Sequence, residues 1–292
     1  DIQRGGPSTG MPTRTQQSDI LSCAYASHGD TKHIILIPSN PTECFEFSVL
    51  AFDLADRLQT PIIILSDLDI GMNDFTTKEF KWEDTHMFDR GKVLTKEDLD
   101  SMEKFGRYLD IDGDGIPYRT YPGTHSEKGA YFTRGSSHDE YAVYTEDGNI
   151  NARNLTRLLK KHENAAKLVP KPIIKSVNNS KGVIYFGGSD YSMIEALDEL
   201  SSDGIILDSM RIRAFPFGKE VHDFIENHDM IFVVEQNRDA QMKKLILAEA
   251  NAAPDKMISV LCFDGMPITA HFISTEISSY LAKKEVKEIM KK

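Results

Sequence analysis

Cysteine is scarce: 3 in 292 residues, Cys23, Cys44 and Cys262, with no C-x-x-C pair among them. Spacing this wide excludes a disulfide framework and the usual thiolate sites for zinc or an iron-sulfur cluster within the chain, and it fits a reducing cytoplasm. Long apolar runs are also missing. The stretches 34–38 and 61–65 are far below the roughly 20 residues that cross a bilayer, so a soluble protein with no membrane partner is expected. Basic residues are outnumbered, with 34 Lys+Arg against 45 Asp+Glu and a net charge of -11. That balance, without a dense Lys/Arg run, repels phosphate backbones and argues against a nucleic-acid partner. No G-x-S-x-G elbow or Cys/His pairing occurs, so catalysis by a nucleophile of this chain has no support. There is no initiating Met and no signal-peptide pattern, and a glycine-rich loop opens the chain where a strand should precede it. The sequence is therefore expected to start inside a domain.

What is present is an α/β chain. With 40% hydrophobic residues, the length fits about two domains with real cores. Residues 32–37 read as a buried strand. Asn40 as cap, Pro41 at the first helical position and Glu43 three residues after the cap start a helix running to Gln59. Residues 61–66 form a second strand, making a parallel βαβ unit with Asp67 and Asp69 at its carboxyl edge. Residues 71–171 hold the sole Trp, Trp82, and little periodicity before a basic helix at 152–162. They read as an ordered connecting region, with a hairpin as one option, that packs against something else. From Gly182 strands and helices alternate: strands at 183–186, 205–208, 230–235 and 257–263, helices at 191–200, 219–227 and 239–250. This predicts a small three-layer domain with a mostly parallel sheet.

The opening segment is the most informative. Gly5, Gly6 and Gly10 let backbone N–H groups approach a ligand, Ser8, Thr9 and Thr13 add hydroxyls, and Arg4 offers a planar fork for a carboxylate. Residues 3–13 thus describe an anion site or, equally, a tight surface loop. Residues 110–116 imitate a calcium loop, but Tyr121 stands where a bidentate Glu belongs and Pro117 interrupts. A weak magnesium or calcium site is the other option there. Gly113-Asp114-Gly115 also echoes the start of a thiamine diphosphate magnesium motif, yet Pro117 and Arg119 follow where its helix should begin, leaving Asn149 a coincidence. A plain turn is the favoured reading. Gly187-Gly188-Ser189-Asp190 joins strand to helix at a potential phosphate site, but Asp190 opposes an anion and a structural turn is preferred. His125 and His138, the latter beside Asp139 and Glu140, lack zinc-ligand spacing.

Arg4-Gly5-Gly6-Pro7-Ser8-Thr9-Gly10-Met11-Pro12-Thr13, continued by residues 14–19 and by Ser27-His28-Gly29-Asp30, resembles the alpha subunit of 2-oxoacid:ferredoxin oxidoreductases, above all the 2-oxoglutarate type. Later blocks follow in the right order: residues 51–55 and 61–67, residues 115–123, Ser137-His138-Asp139-Glu140, Glu235-Gln236-Asn237 with Gln241, and Gly265-Met266-Pro267. Ala240 stands where the family more often has Gly. The resemblance implies the C-terminal part of a thiamine-diphosphate-binding, pyrimidine-side domain (residues 1–85), a connecting region (86–171) and a transketolase-C-terminal-like three-layer α/β domain (172–292). It implies conversion of a 2-oxoacid, coenzyme A and oxidised ferredoxin into acyl-CoA, carbon dioxide and reduced ferredoxin, or the reverse. Thiamine diphosphate with Mg comes largely from a missing upstream segment and a beta subunit, which also carries the iron-sulfur cluster. By the same resemblance Arg4 and Thr13, with Ser8 and Thr9, bind substrate, His28 lines the cofactor pocket, and the catalytic glutamate lies upstream. The assembly expected is a dimer of heterodimers. A pyruvate or branched-chain 2-oxoacid enzyme of the same family and a non-catalytic assembly subunit are the alternatives.

Overall fold

In the computed structural model, which describes residues 1–289, the glycine-rich start is a pair of strands, β1 (Ile2–Gly5) and β2 (Met11–Thr15), followed by a short helix, α1 (Ile20–Ala24). Strand β3 (Ile34–Leu36), helix α2 (Pro41–Leu58) and strand β4 (Ile62–Ile64) form the expected unit, with β3 and β4 parallel. The signals that predicted α2 operate as read: the Asn40 side chain accepts from Glu43 N at 2.9 Å, and Gln59 ends the helix in a left-handed conformation. Pro41 sits where its missing N–H leaves no bond unmade. Strand β5 (Ser66–Asp67) runs parallel to β1 and leads into α3 (Leu68–Met72).

The connecting region is irregular, as its texture indicated. Its one regular element before residue 148 is α4 (Lys96–Ser101), with Thr95 and Asp98 forming a reciprocal cap. A small hairpin occurs where His138 bridges Tyr144, and Asp139 Oδ1 accepts from Tyr141 N and Val143 N at 2.9 Å each. The basic helix α5 (Gly148–Ala165) starts four residues ahead of the expected Ala152. Asp147 explains this, because its carboxylate caps the N–H groups of Asn149 and Ile150.

The remainder is a five-stranded sheet in the order β11-β10-β7-β8-β6. In chain order it is built from β6 (Ile173–Lys175), β7 (Lys181–Phe186), α6 (Asp190–Ser202) and β8 (Asp208–Ile212). A short β9 (Ala214–Phe215), α7 (Lys219–Asn227) and β10 (Met230–Glu235) follow. The last elements are α8 (Gln241–Glu249), β11 (Met257–Leu261) and α9 (Ala270–Ile289), a helix the sequence reading did not anticipate. All neighbours in the sheet are parallel except β6, which pairs antiparallel with β8. Alternating side chains divide between two layers. Val183, Phe232 and Val234 pack with α6 and α9, while Ile184, Ile231 and Val233 pack with α7 and α8.

One strand was misplaced. Residues 205–208 were expected to form it, but Ile205 N still bonds Leu200 O at 2.8 Å as α6 ends, and the strand occupies Asp208–Ile212. Its buried Asp208, Ser209 and Arg211 hide it from an apolar-pattern search. Asp208 receives the Ser176 hydroxyl and the N–H groups of Val177 and Asn179. Arg211 forms a two-point pair with Glu43 of α2 at 2.7 and 2.9 Å, and Arg213 Nε adds a third contact at 3.0 Å.

These contacts join the halves. Strand β9 pairs with β3, placing Ile35 opposite Phe215, and one apolar core runs from Ile20, Ile35, Ile37 and Leu65 to Ile184, Phe186 and Ile212. Between them lies a buried polar seam. Asp67 accepts from Gly188 N at 2.9 Å and Ile70 N at 3.1 Å. Gln17 Nε2 donates to Phe186 O, Gln17 N donates to Gln236 O, and Gln236 N donates back to Gln17 Oε1.

A Cβ at position 188 would lie 2.7 and 2.8 Å from the Asp67 carboxylate oxygens. Gly188→Ala should therefore lower unfolding free energy by about 1–3 kcal/mol through overpacking, read as a fall in the urea midpoint. Arg211→Ala strands the Glu43 carboxylate in the core and should cost about 3–5 kcal/mol by the same measurement. Burial alone would raise the Glu43 carboxyl, but Arg211 and Arg213 outweigh it and hold the group below its ordinary 4.5. Burial, with help from Lys32, pushes His162 down from 6.5 to about 4. Both stabilising contributions are complete at neutral pH. His162's is lost as pH falls from 6.5 through 4, and Glu43's below 4.5. The His162 contribution predicts that urea midpoints of the unmodified chain, relative to those of His162→Gln, fall as pH goes from 7.5 to 4.5, the raised carboxyls of Asp67, Asp69 and Glu235 being common to both.

Candidate functional site

Strand pairing brings Arg4 opposite Thr15 and Gly5 opposite Met11, with an irregularity between the two pairs. The turn linking β1 to β2 is tight enough that a Cβ on Gly10, at φ +49°, would lie 2.0 Å from Gly5 O, so no other residue fits. Gln16 Oε1 accepts from Gly6 N at 3.1 Å and ties the turn to the end of β2. The segment is a tight surface hairpin with an exposed guanidinium and exposed hydroxyls. The side chains of Arg4, Ser8, Thr9 and Thr13 are all exposed.

The far end of the chain packs against this hairpin. Thr15 N donates to Gly265 O at 3.1 Å. Between β2, α3 and residues 265–267 lies a groove of ≈ 310 Å³, to which Thr13, Arg14 and Thr15 contribute from the hairpin, Asp69 from the first turn of α3 and Asn73 from just beyond its end. Arg14 Nη1 donates to Thr13 O at 3.1 Å. Burial, helped by the neighbouring Asp67 charge, pushes the Asp69 carboxyl up. Of the predicted site residues only Thr13 lines this groove; Arg4, Ser8 and Thr9 stay on the hairpin outside it. His28 is exposed in the loop between α1 and β3, apart from the hairpin. Asp69 was placed from sequence at the carboxyl edge of the βαβ unit, whereas no role was given to Arg14 or Asn73, although the block Gly265-Met266-Pro267 carried the available signal.

The polar block Glu235-Gln236-Asn237 with Gln241 and the turn at Gly187-Gly188 make contacts within the protein. Glu235 is buried at the start of α8, where its carboxylate accepts from Met242 N at 2.7 Å, Lys243 N at 3.0 Å and Asn237 Nδ2 at 2.8 Å. Burial still pushes its carboxyl up. Asn237 Nδ2 also donates to Gln17 O, and Gln241 Oε1 accepts from Leu21 N. At Gly187-Gly188 the N–H that would greet a phosphate is already given to Asp67, as the preferred structural-turn reading requires.

The acidic run at 110–116 folds around cations of the protein itself. Lys92 Nζ lies 2.7 Å from Asp112 and 2.8 Å from Asp114, while Asp110 and Asp114 accept from Gly115 N and Ile116 N. This is turn chemistry, and an ammonium stands where a metal ion would have to go. The stretch does not fit a magnesium diphosphate site. Among the described residues no group of three or more His, Cys, Asp or Glu side chains is arranged to hold a metal. No helix among them is long and apolar enough to cross a membrane.

Comparison with known proteins agrees with this architecture. The chain is 28% identical to the 2-oxoacid:ferredoxin oxidoreductase 2, subunit alpha, of Aeropyrum pernix over 98% of its own length and 44% of that protein. It is 30% identical to 2-oxoacid:ferredoxin oxidoreductase 1, subunit alpha, of Sulfurisphaera tokodaii, covering 96% of this chain and 43% of the relative. For the 2-oxoglutarate synthase subunit KorA of Methanothermobacter marburgensis the identity is 29%, over 81% of this chain and 61% of the other. The solved 2-oxoglutarate:ferredoxin oxidoreductase from Magnetococcus marinus, with 2-oxoglutarate, coenzyme A and succinyl-CoA bound, superimposes with a TM-score of 0.83 at 25% identity, covering 96% of this chain and 47% of that one. The chain thus spans less than half the length of most of these relatives. Residues 1–149 match the family model described as pyruvate flavodoxin/ferredoxin oxidoreductase, thiamine diphosphate-binding. The chain belongs to the pyruvate flavodoxin/ferredoxin oxidoreductase family, whose thiamine diphosphate-binding part its residues 1–149 match.

Proposed function

We propose that this chain is the alpha-subunit portion of a 2-oxoacid:ferredoxin oxidoreductase that converts 2-oxoglutarate and coenzyme A to succinyl-CoA and carbon dioxide with reduction of ferredoxin, or runs the reverse. The observation that carries the reading is the hairpin: an exposed Arg4 near the end of β1, followed by a glycine-shaped turn and a row of hydroxyls. Relatives named as 2-oxoacid:ferredoxin oxidoreductase alpha subunits and as 2-oxoglutarate synthase support it. In this reading residues 1–85 complete the pyrimidine-side domain, 86–171 connect, and 172–292 form a transketolase-C-terminal-like domain.

Arg4 anchors a substrate carboxylate through its planar fork, Thr13 donates to the keto-acid end, and Ser8 and Thr9 shape the turn around it. His28 lines the cofactor pocket. When bound, thiamine diphosphate supplies the electron sink for decarboxylation. By the family resemblance, thiamine diphosphate and magnesium come largely from an upstream segment and the beta subunit, which also holds the iron-sulfur cluster that passes electrons to ferredoxin; Lys92 pairing with Asp112 and Asp114 is consistent with this. The chain contributes no catalytic acid or base of its own. Its assembly is a dimer of heterodimers in the cytoplasm.

The test is to express the complete alpha chain with its beta partner and compare 2-oxoglutarate, pyruvate and 2-oxoisovalerate. Loss of a charged hydrogen bond worth about 1.5–3 kcal/mol predicts that Arg4→Ala lowers kcat/KM for 2-oxoglutarate roughly 10- to 100-fold. Arg4→Lys, which keeps the charge but loses the fork, should recover only part of it. Unchanged kinetics would remove Arg4 from the site. An intact complex without 2-oxoacid-dependent ferredoxin reduction would leave an assembly role.

A further inference from the structure

A cluster of cations in the connecting region includes a lysine with no acid to pair with. Lys161 lies on α5, half-buried, and among the described residues its Nζ donates one hydrogen bond, to Gln59 O at 3.3 Å, where α2 ends. The charges that act on it are those of two guanidiniums, Arg157, one turn back on the same helix face, and Arg107. Both carry unmet donors. Arg157 Nη1 donates to Gly115 O at 3.0 Å, but Arg157 Nε and Arg107 Nη1 are buried without a hydrogen-bond partner, which is rare for such groups. Asp110 is the carboxylate whose charge reaches Arg157, beside the Tyr108 phenol, and one of its oxygens is taken by Gly115 N at 2.9 Å. Asn164 Nδ2, donating to Asp114 O at 3.0 Å, helps to hold this loop on α5.

An ammonium brings three donors and a further positive charge to a place that is short of acceptors and of negative charge. Burial pushes Lys161 down from 10.5 to about 8, and the charges of Arg157 and Arg107 add to the shift. At pH 7.5 such an amine is unprotonated in roughly a quarter of molecules, against about one in a thousand for an ordinary lysine. The unprotonated amine is a nucleophile. We infer that Lys161 is a site of reversible carbamylation by carbon dioxide, with the new carboxylate accepting from Arg157 and Arg107. The Nζ lone pair attacks the carbon of carbon dioxide, an N–C bond forms as a C=O π pair moves onto oxygen, and one N–H proton leaves to water. Nothing is oxidised or reduced. The product keeps a single N–H, which matches the single acceptor at Gln59 O. It also turns a cation into an anion, so that the two guanidiniums face two carboxylates, the second being Asp110. Carbon dioxide suits a packed place because it is small and uncharged. The inference stands apart from the enzymatic reading above, which adds only a nearby source of the gas.

The experiment equilibrates the complete alpha–beta complex with carbon-13-labelled bicarbonate at pH 8. Carbamates are detected by their carbon-13 resonance, trapped with triethyloxonium as stable ethyl carbamates and mapped by peptide mass spectrometry. Expected is an ethyl carbamate on Lys161 at an occupancy at least roughly tenfold above any exposed lysine, absent in Lys161→Arg. Arg157→Gln, which removes a charged fork from the carbamate, should lower that occupancy several-fold. Arg153→Gln, at an exposed position of the same helix, should leave it unchanged. An unlabelled Lys161 in the intact unmodified complex overturns the inference, and so does labelling no greater than that of exposed lysines. Occupancy indifferent to Arg157→Gln overturns the assigned carboxylate contacts. Because labelling is read without 2-oxoacid, a complex that labels at Lys161 but turns over no 2-oxoacid overturns the enzymatic reading alone.

Discussion

The Asp67 carboxylate lies between the end of β5 and the start of α6, accepting from Gly188 N on one side and Ile70 N on the other. Around it Gln17, Ser189 and Gln236 close a set of buried hydrogen bonds that spans most of the chain in sequence. Burial pushes the Asp67 carboxyl up, against the backbone N–H groups of Ile70 and Gly188 and the Gln17 side chain, which hold it down. A buried polar group of this kind contributes little net stability when satisfied and costs much when a partner is lost. Its consequence is geometric: the seam admits one relative placement of the halves, and the hairpin inherits it.

The second tie, Glu43 with Arg211 and Arg213, works at the other side of the shared core. Asp190 and Ser39 complete it, with Ser39 Oγ donating to Asp190 at 3.1 Å and to Glu43 at 3.1 Å. An ion pair this buried adds less stability than its Coulomb attraction indicates, because desolvation opposes it. What it does is select: α2 is seated by its N-terminal turn against β8, and no apolar contact would fix that register as narrowly.

What could be read from sequence follows the range of the interactions. Asn40, Pro41 and Glu43 act within one turn, so the start of α2 was visible. β7 and β10 were visible as strands because their buried side chains are mostly apolar. Strand β8 was misplaced since Asp208, Ser209 and Arg211 are buried by virtue of partners elsewhere in the chain, which a local pattern does not contain. β1 and β2 read as a loop for a related reason: glycine and proline have weak strand preference, and the pairing with β5 is non-local. At the candidate site, residue types at 4–13 left an anion site and a tight surface loop equally open, and the resemblance alone pointed to a substrate. The groove was not, since one wall belongs to residues 265–267.

The bond from Thr15 N to Gly265 O links the strand bearing the hydroxyl row to a loop of the opposite half. It pins the end of β2 to residue 265, so the hairpin wall of the groove and the wall at residues 265–267 are tied by one backbone hydrogen bond between segments 250 positions apart in the chain.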